Sequence, residues 1–404
     1  MLVAVLGGII FLKFDVYATQ TEQTEQTSNG WDDEKKSYYV DGKKVTGFRE
    51  IDGLLYYFDK NGKKQKNNSF VSIEGKSYYI SKDGEVARGY KTIKNKCYYF
   101  NLKTGVQVFG WKKIDGLLYY FNDDTGVRHA KKGWKTIDGK TYYFNDDFSA
   151  KIGFIKIKGN TYYLDKKGVK REKSGWLTIN NKRYYFKQGG IIQTGWARIK
   201  NKRYYLDAKK NGAAVVGWKY IGDLKYYFNE NGQLVQDVRS IIGKRSSYYI
   251  KVNKKSSCVT VYTQDGKNGY KIPVVSFVCS AGKNTPIGTF NTLKKYRWQE
   301  LVGPCWGQWC TLIVSDILFH SVFYDSERNN KSLNVKAYND LGTMASKGCI
   351  RLTAGDAKWI YDNCNIGTTV TIYNSKNPGP FDKPKAQKLP AGHTWDPTDP
   401  AFKK

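Results

Sequence analysis

Aromatic and polar positions recur along most of this 404-residue chain with a period near twenty. Tyr-Tyr pairs begin at positions 38, 56, 78, 98, 119, 142, 162, 184, 204, 226 and 248, separated by 18 to 23 residues. Eight residues before most pairs stands another aromatic: Phe48, Phe70, Tyr90, Trp111, Trp134, Phe154, Trp176, Trp196 or Trp218, usually after a glycine. Asp-Gly, Asn-Gly or Asn-Lys between aromatic and β-branched runs predicts a hairpin turn, because such turns need positive φ. A twenty-residue hairpin buries no core alone, so the period predicts a β-hairpin solenoid in which neighbours cover one another. Strand side chains alternate, so each Tyr-Tyr pair is expected to turn one ring inward and one outward. After Trp218 the pattern degrades, with Val238-Arg239 in place of Gly-Trp, as a capping or joining unit would.

From position 248 the pattern changes to longer β-rich runs at 258–263, 271–279, 288–293, 311–319 and 368–373. One stretch reads as a helix, 354–363, with Ala357, Ile360 and Tyr361 on one face. Residues 374–404 hold six of the nine prolines and are expected to be extended or disordered. At the other end, residues 2–12 form an apolar run too short to cross a bilayer, followed by Val16-Tyr17-Ala18. That reads as a secretory signal peptide, with an uncleaved anchor as the alternative. The expected organisation is a signal at 1–18, a polar linker at 19–30, repeats at 31–245, a β-rich domain at 246–373 and a Pro-rich tail at 374–404.

The net charge of +31 and pI near 9.6 call for an anionic partner. Residues 246–404 carry 21 Lys and Arg against 11 Asp and Glu, and the remainder 46 against 25, so both halves are basic. Export excludes nucleic acid and leaves the polyanions of a bacterial wall, met by an extracellular protein that is expected to be a monomer. Seven cysteines are an odd number, which in an oxidising compartment leaves at least one free thiol. Cys305 and Cys310 flank Trp-Gly-Gln-Trp and suit a small disulfide loop; the alternative is a set of buried thiols. No metal or cofactor site is expected, since the three histidines are scattered and no Cys-x-x-Cys occurs.

The chemistry concentrates at Ser346-Lys347-Gly348-Cys349-Ile350-Arg351-Leu352. A thiol is only a few per cent thiolate near neutrality and needs a base in reach. His129 lies in a repeat and His393 in the tail, which leaves His320 at the end of an apolar strand. Cysteine plus histidine is by itself a weak signal. The surrounding blocks make it specific: Ser280-Ala281-Gly282, Thr285-Pro286-Ile287-Gly288-Thr289-Phe290, Leu341-Gly342 and Gly367-Thr368-Thr369-Val370-Thr371-Ile372.

Over residues 248–373 the chain resembles the L,D-transpeptidase catalytic domain, which implies a β-sandwich-like fold with one or two short helices. The resemblance implies cysteine acyl transfer on peptidoglycan stem peptides, giving a 3→3 cross-link. Cys349 would be the nucleophile and His320 the general base and acid. Ser321 would orient the imidazole through its carbonyl or hydroxyl. Gly348 would allow the turn that forms an oxyanion hole. Arg351, Ser346 and Lys347 would face the substrate, Arg351 either pairing with a stem carboxylate or bracing the loop. Lys347 stands where the family carries a histidine. The polar insertion at 325–340 reads as a lid or substrate loop.

The repeats resemble cell-wall-binding, choline-binding-like repeats, whose aromatic cages hold a quaternary ammonium by cation–π attraction. The tryptophan that such cages place before the Tyr-Tyr pair is replaced throughout by Ser, Leu, Cys, Thr, Arg or Lys. That points away from choline and toward a glycan or an anionic polymer such as teichoic acid. The candidate ligand rings are Trp111, Trp134, Trp176, Trp196, Trp218, Tyr119, Tyr142, Tyr184, Tyr204 and Tyr226, which also serve to stack the hairpins. Competing readings are an L,D-carboxypeptidase using the same site with water as acceptor, and a catalytically inactive wall-binding adhesin.

Overall fold

The structure, a computed structural model, describes residues 29–402. The expected signal peptide and nearly all of the linker lie outside the described residues. The chain is mostly β and divides into two compact units. One comprises the residues up to 155 together with 163–171; the other comprises 156–162 and everything from 172 on.

Among its described residues the first unit contains five regular hairpins, such as Gly110–Ile114 with Leu117–Phe121 and Gly133–Ile137 with Lys140–Phe144. Their two-residue turns place both residues at positive φ, as at Asp138 (48°) and Gly139 (69°). The Asn-Lys turn expected after Ile93 falls one residue earlier, at Lys94 and Asn95 (φ 47° and 61°). There Lys96 already opens the next strand. Asparagine tolerates the left-handed region well, which moves the turn onto it.

The Tyr-Tyr expectation needs a larger correction. Both rings are buried at Tyr78-Tyr79, Tyr98-Tyr99 and Tyr142-Tyr143. In other pairs, such as Tyr119-Tyr120 and Tyr184-Tyr185, the first ring is buried and the second half-buried, covered in part by the unit's other aromatic directly across the hairpin, as Tyr120 is by Trp111. The first ring packs on the aromatic of the preceding unit, as Tyr142 does on Trp111 at 4.4 Å. The residue after each pair is the deepest: Phe58, Phe100, Phe121 and Phe144 are fully buried. Backbone bonds stitch each unit to an earlier one: Val86 N–H donates to Leu55 O, Gln107 to Ser77 and Arg128 to Cys97, at 2.7 to 2.8 Å.

The second unit begins with three further hairpins, Gly175–Ile179 with Lys182–Phe186, Gly195–Ile199 with Lys202–Asp207, and Gly217–Ile221 with Leu224–Phe228. A short helix, α1 (Arg239–Ile242), leads into two sheets. The first contains β1 (Tyr248–Asn253), β2 (Cys258–Thr263), β3 (Ile272–Val278), β4 (Gly288–Asn291) and β9 (Thr369–Tyr373), in the order β3-β2-β1-β9-β4, with β1 and β9 parallel. The second runs β5 (Lys295–Leu301), β6 (Cys305–Val314), β7 (Ile317–Ser321) and β8 (Ile350–Leu352) in sequence order, with β7 and β8 parallel. Ile250, Val261 and Phe277 from one sheet meet Ile313, Phe319 and Ile350 from the other in a single core. Ala357 and Ile360 of α3 (Ala354–Asn363) complete it. The expected helix therefore has the expected bounds, and α2 (Val335–Asn339) adds a short one.

The tail is extended but packed. Phe381 and Leu389 are buried, Asp399 Oδ2 accepts from the buried Gln308 Nε2 at 2.7 Å, and Asp396 Oδ2 accepts from Ala354 N at 2.7 Å. Its prolines bar ladder pairing without barring burial, because side chains of the sheets and helices supply the partners. Cys305 and Cys310 do not form a loop. They sit five residues apart in the extended strand β6, opposite Leu301 and Tyr296 respectively, and all seven cysteines are free thiols. Such a separation, roughly 16 Å along a strand, is beyond disulfide reach.

Candidate active site

Parallel pairing of β7 with β8 sets Phe319 opposite Ile350 and His320 opposite Arg351. Cys349 therefore emerges just before β8, beside the end of the strand that carries His320. His320, Cys349, Ser346, Lys347, Gly348 and Arg351 all line one cleft of about 710 Å³, with Tyr296, Leu301, Cys305, Asp316 and Phe323 on its other walls.

The imidazole is buried, and its Nδ1 lies 2.5 Å from the carbonyl oxygen of Ser321. An acceptor there holds the proton on Nδ1 and leaves Nε2 with its lone pair. The Ser321 hydroxyl plays no part in this: it donates to Val322 O at 2.8 Å and accepts from Gln308 N at 3.0 Å. Burial, with the Arg351 cation second, pushes the His320 pKa down to about 4, against a smaller opposite effect of Ser321. Burial also pushes the Cys349 thiol up, against the lowering effect of the Leu318 N–H. The thiol donates to Asp316 O at 3.5 Å. Both groups rest neutral at pH 7.

Several residues that the sequence left without a role hold the cysteine turn. Thr285 Oγ1 donates to Gly348 O at 2.5 Å and accepts from Gly282 N at 2.8 Å. A Cβ on Gly282 would stand 2.3 Å from Ser346 O and 2.8 Å from Gly348 N. Only a glycine lets these two segments approach so closely. Gly307 does the same for the imidazole, where a Cβ would come within 3.0 Å of Nδ1. The signal for Gly282 and Thr285 was present in the quoted blocks, but their purpose depends on a contact over sixty residues away in sequence.

The expected substrate-facing residues divide. Lys347 is exposed at the cleft. Ser346 Oγ donates to Cys349 O at 2.6 Å and so ties the turn. Arg351 donates to Ala345 O at 3.2 Å and stacks on Phe323 at 4.9 Å, which braces the loop. Gly348 is not at positive φ; it is small because a Cβ would meet Ile317 Cδ1 at 2.9 Å. The insertion at 325–340 contributes no wall to the cleft. Leu333, Ala337 and Tyr338 are buried with Val322, Tyr324 and the tail's Leu389 in a second small core, so it is a packed element and not a lid.

Among the repeat rings, Tyr119, Tyr142, Tyr184, Tyr204 and Tyr226 are buried and stack the hairpins. Trp134, Trp196 and Trp218 are exposed, Trp111 and Trp176 half-buried.

Two packed sheets, with His320 near the end of β7 and Cys349 just before the neighbouring parallel strand β8, frame this cleft, and the chain belongs to the L,D-transpeptidase family. Residues 247–372 match the L,D-transpeptidase catalytic domain, and residues 45–89, 87–132, 131–170 and 173–216 match the choline-binding repeat. Over 137 residues the chain is 34% identical to the Bacillus subtilis (strain 168) protein named "Putative L,D-transpeptidase YciB", covering 32% of this chain and 67% of that one. Similar solved structures include CbpJ of Streptococcus pneumoniae TIGR4 (24% identity, 49% of this chain, 90% of that one, TM-score 0.36). Choline binding protein F of Streptococcus pneumoniae is another (25% identity, 49% and 89%, TM-score 0.33).

Proposed function

We infer that this protein is an exported peptidoglycan L,D-transpeptidase working through a Cys349 thioester and held at the wall by its repeats. The observation that carries the reading is the convergence of Cys349 and a neutral, carbonyl-oriented His320 on one open cleft. In the first half-reaction Sγ attacks the carbonyl carbon of the stem's third residue, and the thiol proton passes to His320 Nε2. The C–N bond then breaks, and the imidazolium returns that proton to the departing D-alanine nitrogen. In the second half-reaction a neighbouring stem's side-chain amine attacks the thioester carbon. Its proton travels through His320 to the leaving sulfur, and an amide cross-link remains. A buried imidazole with a low pKa does not hold its proton for long, which suits a relay used twice. Among the described residues, the backbone N–H groups of Lys347, Gly348 and Cys349 meet no acceptor outside the strand ladder, which suits them to an oxyanion.

The repeats raise the local concentration of wall substrate without touching the chemistry. Incubating the purified full chain with a carbapenem and weighing it tests the reading. A covalent adduct on Cys349, absent from Cys349→Ala, is expected. No adduct on the folded wild type would leave an inactive wall-binding protein. Muropeptide analysis with an acceptor stem separates cross-linking from release of D-alanine by water, the carboxypeptidase alternative.

A further inference from the structure

In the second compact unit, the face of each repeat tryptophan is taken by a cation of the chain itself. Arg183, Arg203 and Lys225 stand directly before their Tyr-Tyr pairs. They lie over Trp176, Trp196 and Trp218, with 4.3, 4.6 and 5.9 Å from charge to ring centroid. The register imposes this. Arg183 pairs with Thr178, Arg203 with Arg198 and Lys225 with Tyr220, each two positions beyond the tryptophan on the same strand face. A ring face already covered by a cation has little attraction left for a quaternary ammonium. What such a platform offers outward is N–H groups with positive charge.

Two of the three platforms display what they accept. Asp382 takes bonds from Arg198 at 2.5 and 3.2 Å and lies 3.8 Å from Arg203, whose Nη1 also donates to Pro380 O at 2.8 Å. Asp265 accepts from Lys225 Nζ at 2.9 Å and from the Tyr220 hydroxyl. Both carboxylates come from the transpeptidase half and its tail. On the third platform Arg183 donates to Asn231 O at 2.6 Å and, among the described residues, meets no carboxylate.

We propose that the Trp176–Arg183 platform binds the anionic oxygens of a wall glycopolymer, phosphodiester or uronate, and that Asp382 and Asp265 close the two following platforms to it. The proposal rests on the reading that the repeats hold this enzyme to the wall, and it names the chemistry they recognise. Arg183 supplies a planar fork for an oxyacid, and the indole beneath it holds that guanidinium in place by cation–π attraction.

The test uses the full chain, titrated calorimetrically with a glycerol-phosphate oligomer, an oligogalacturonate and choline chloride, alongside sedimentation with intact wall. At least one anionic oligomer should bind, and which one names the polymer. Arg183→Met should weaken that binding about tenfold and Arg183→Lys much less. Asp382→Asn should raise the number of oligomers bound per chain by one, a readout independent of whether Arg183→Met folds. Choline in large excess should displace nothing. Choline competition, an Arg183→Met protein that binds both oligomers as the wild type does, or an unchanged stoichiometry in Asp382→Asn would overturn the proposal. A chain that fails to sediment with wall at all overturns the tethering reading instead.

Discussion

The repeats and the transpeptidase half are both β-rich, yet they hold together over different lengths of chain. In the first compact unit the stitching bonds link residues about thirty apart, as Val86 to Leu55. In the catalytic half, β1 pairs with β9 across 120 residues, Tyr249 opposite Thr369, and Gln308 bonds Asp399 in the tail. A repeat depends on its neighbours alone, so damage to one should stay local. The active site depends on the whole sandwich, because Phe319 of β7 and Ile350 of β8 sit in the core that both sheets share.

The largest effect should separate chemistry from architecture. Cys349→Ala should abolish acylation and leave the melting profile unchanged. His320→Ala should lower the acylation rate by roughly 10²- to 10⁴-fold, the usual worth of a positioned base. Stopped-flow carbapenem acylation measures both, and a His320→Ala rate within a few-fold of wild type would remove the relay from the mechanism. Next come two wholly buried phenylalanines of equal size. Phe319→Ala and Phe121→Ala should each cost about 3–5 kcal/mol where they sit. Phe319→Ala should remove acylation together with the fold around it. Phe121→Ala should open only the hairpins near it to protease and leave acylation intact. Loss of acylation in Phe121→Ala would show that the repeats are not mechanically separate.

What could be read directly from the residues follows the same division. The hairpins were legible because turn, alternation and period are local signals, and the helix at 354–363 because its apolar face repeats within ten residues. The cysteine and its histidine could be named through ordered blocks, whereas the cleft that both line appears only in the fold. The tail's extended course was legible but its packing was not, and the insertion was misread as a lid, since Leu389 against Leu333 and Tyr338, or Asp396 against the start of α3, are pairings that no local pattern announces. The cations over the tryptophans were visible only as an absent aromatic, and their purpose emerges only from the hairpin register.

A smaller effect concerns pH. His320 has a pKa of about 4 in the folded chain against about 6.5 unfolded, so between those values the unfolded chain binds the extra proton. Its contribution is intact above about pH 6.5 and is lost as pH falls toward 4, up to about 3 kcal/mol. Burial raises the Asp396 pKa, which acts in the opposite direction. The difference between wild type and His320→Gln in urea unfolding isolates the imidazole. That difference should grow from pH 4.5 to 6.5 and then level off; a flat difference would contradict a neutral buried ring. The raised thiol pKa adds that acylation should keep rising with pH beyond the usual cysteine range.

The finest comparison sets one glycine of each region against the other. Gly139 sits at φ +69° in a hairpin turn with nothing within 4 Å of a would-be Cβ. Its constraint is backbone conformation, so Gly139→Ala should cost about 1 kcal/mol and Gly139→Asn less, since asparagine accepts that region. Asn180 and Asn181 already form such a turn in another repeat, at φ 48° and 59°. Gly282 needs no positive φ, but its Cβ would strike Ser346 O and Gly348 N, both backbone atoms of the cysteine turn. Gly282→Ala should therefore cost about 1–3 kcal/mol as overpacking, and asparagine should make it worse instead of rescuing it. Because the displaced atoms carry Cys349, acylation should fall in both Gly282 variants and stay at wild-type rate in both Gly139 variants. If alanine at 282 left acylation untouched, the turn would be soft, and the close approach would not be what holds the sulfur in place.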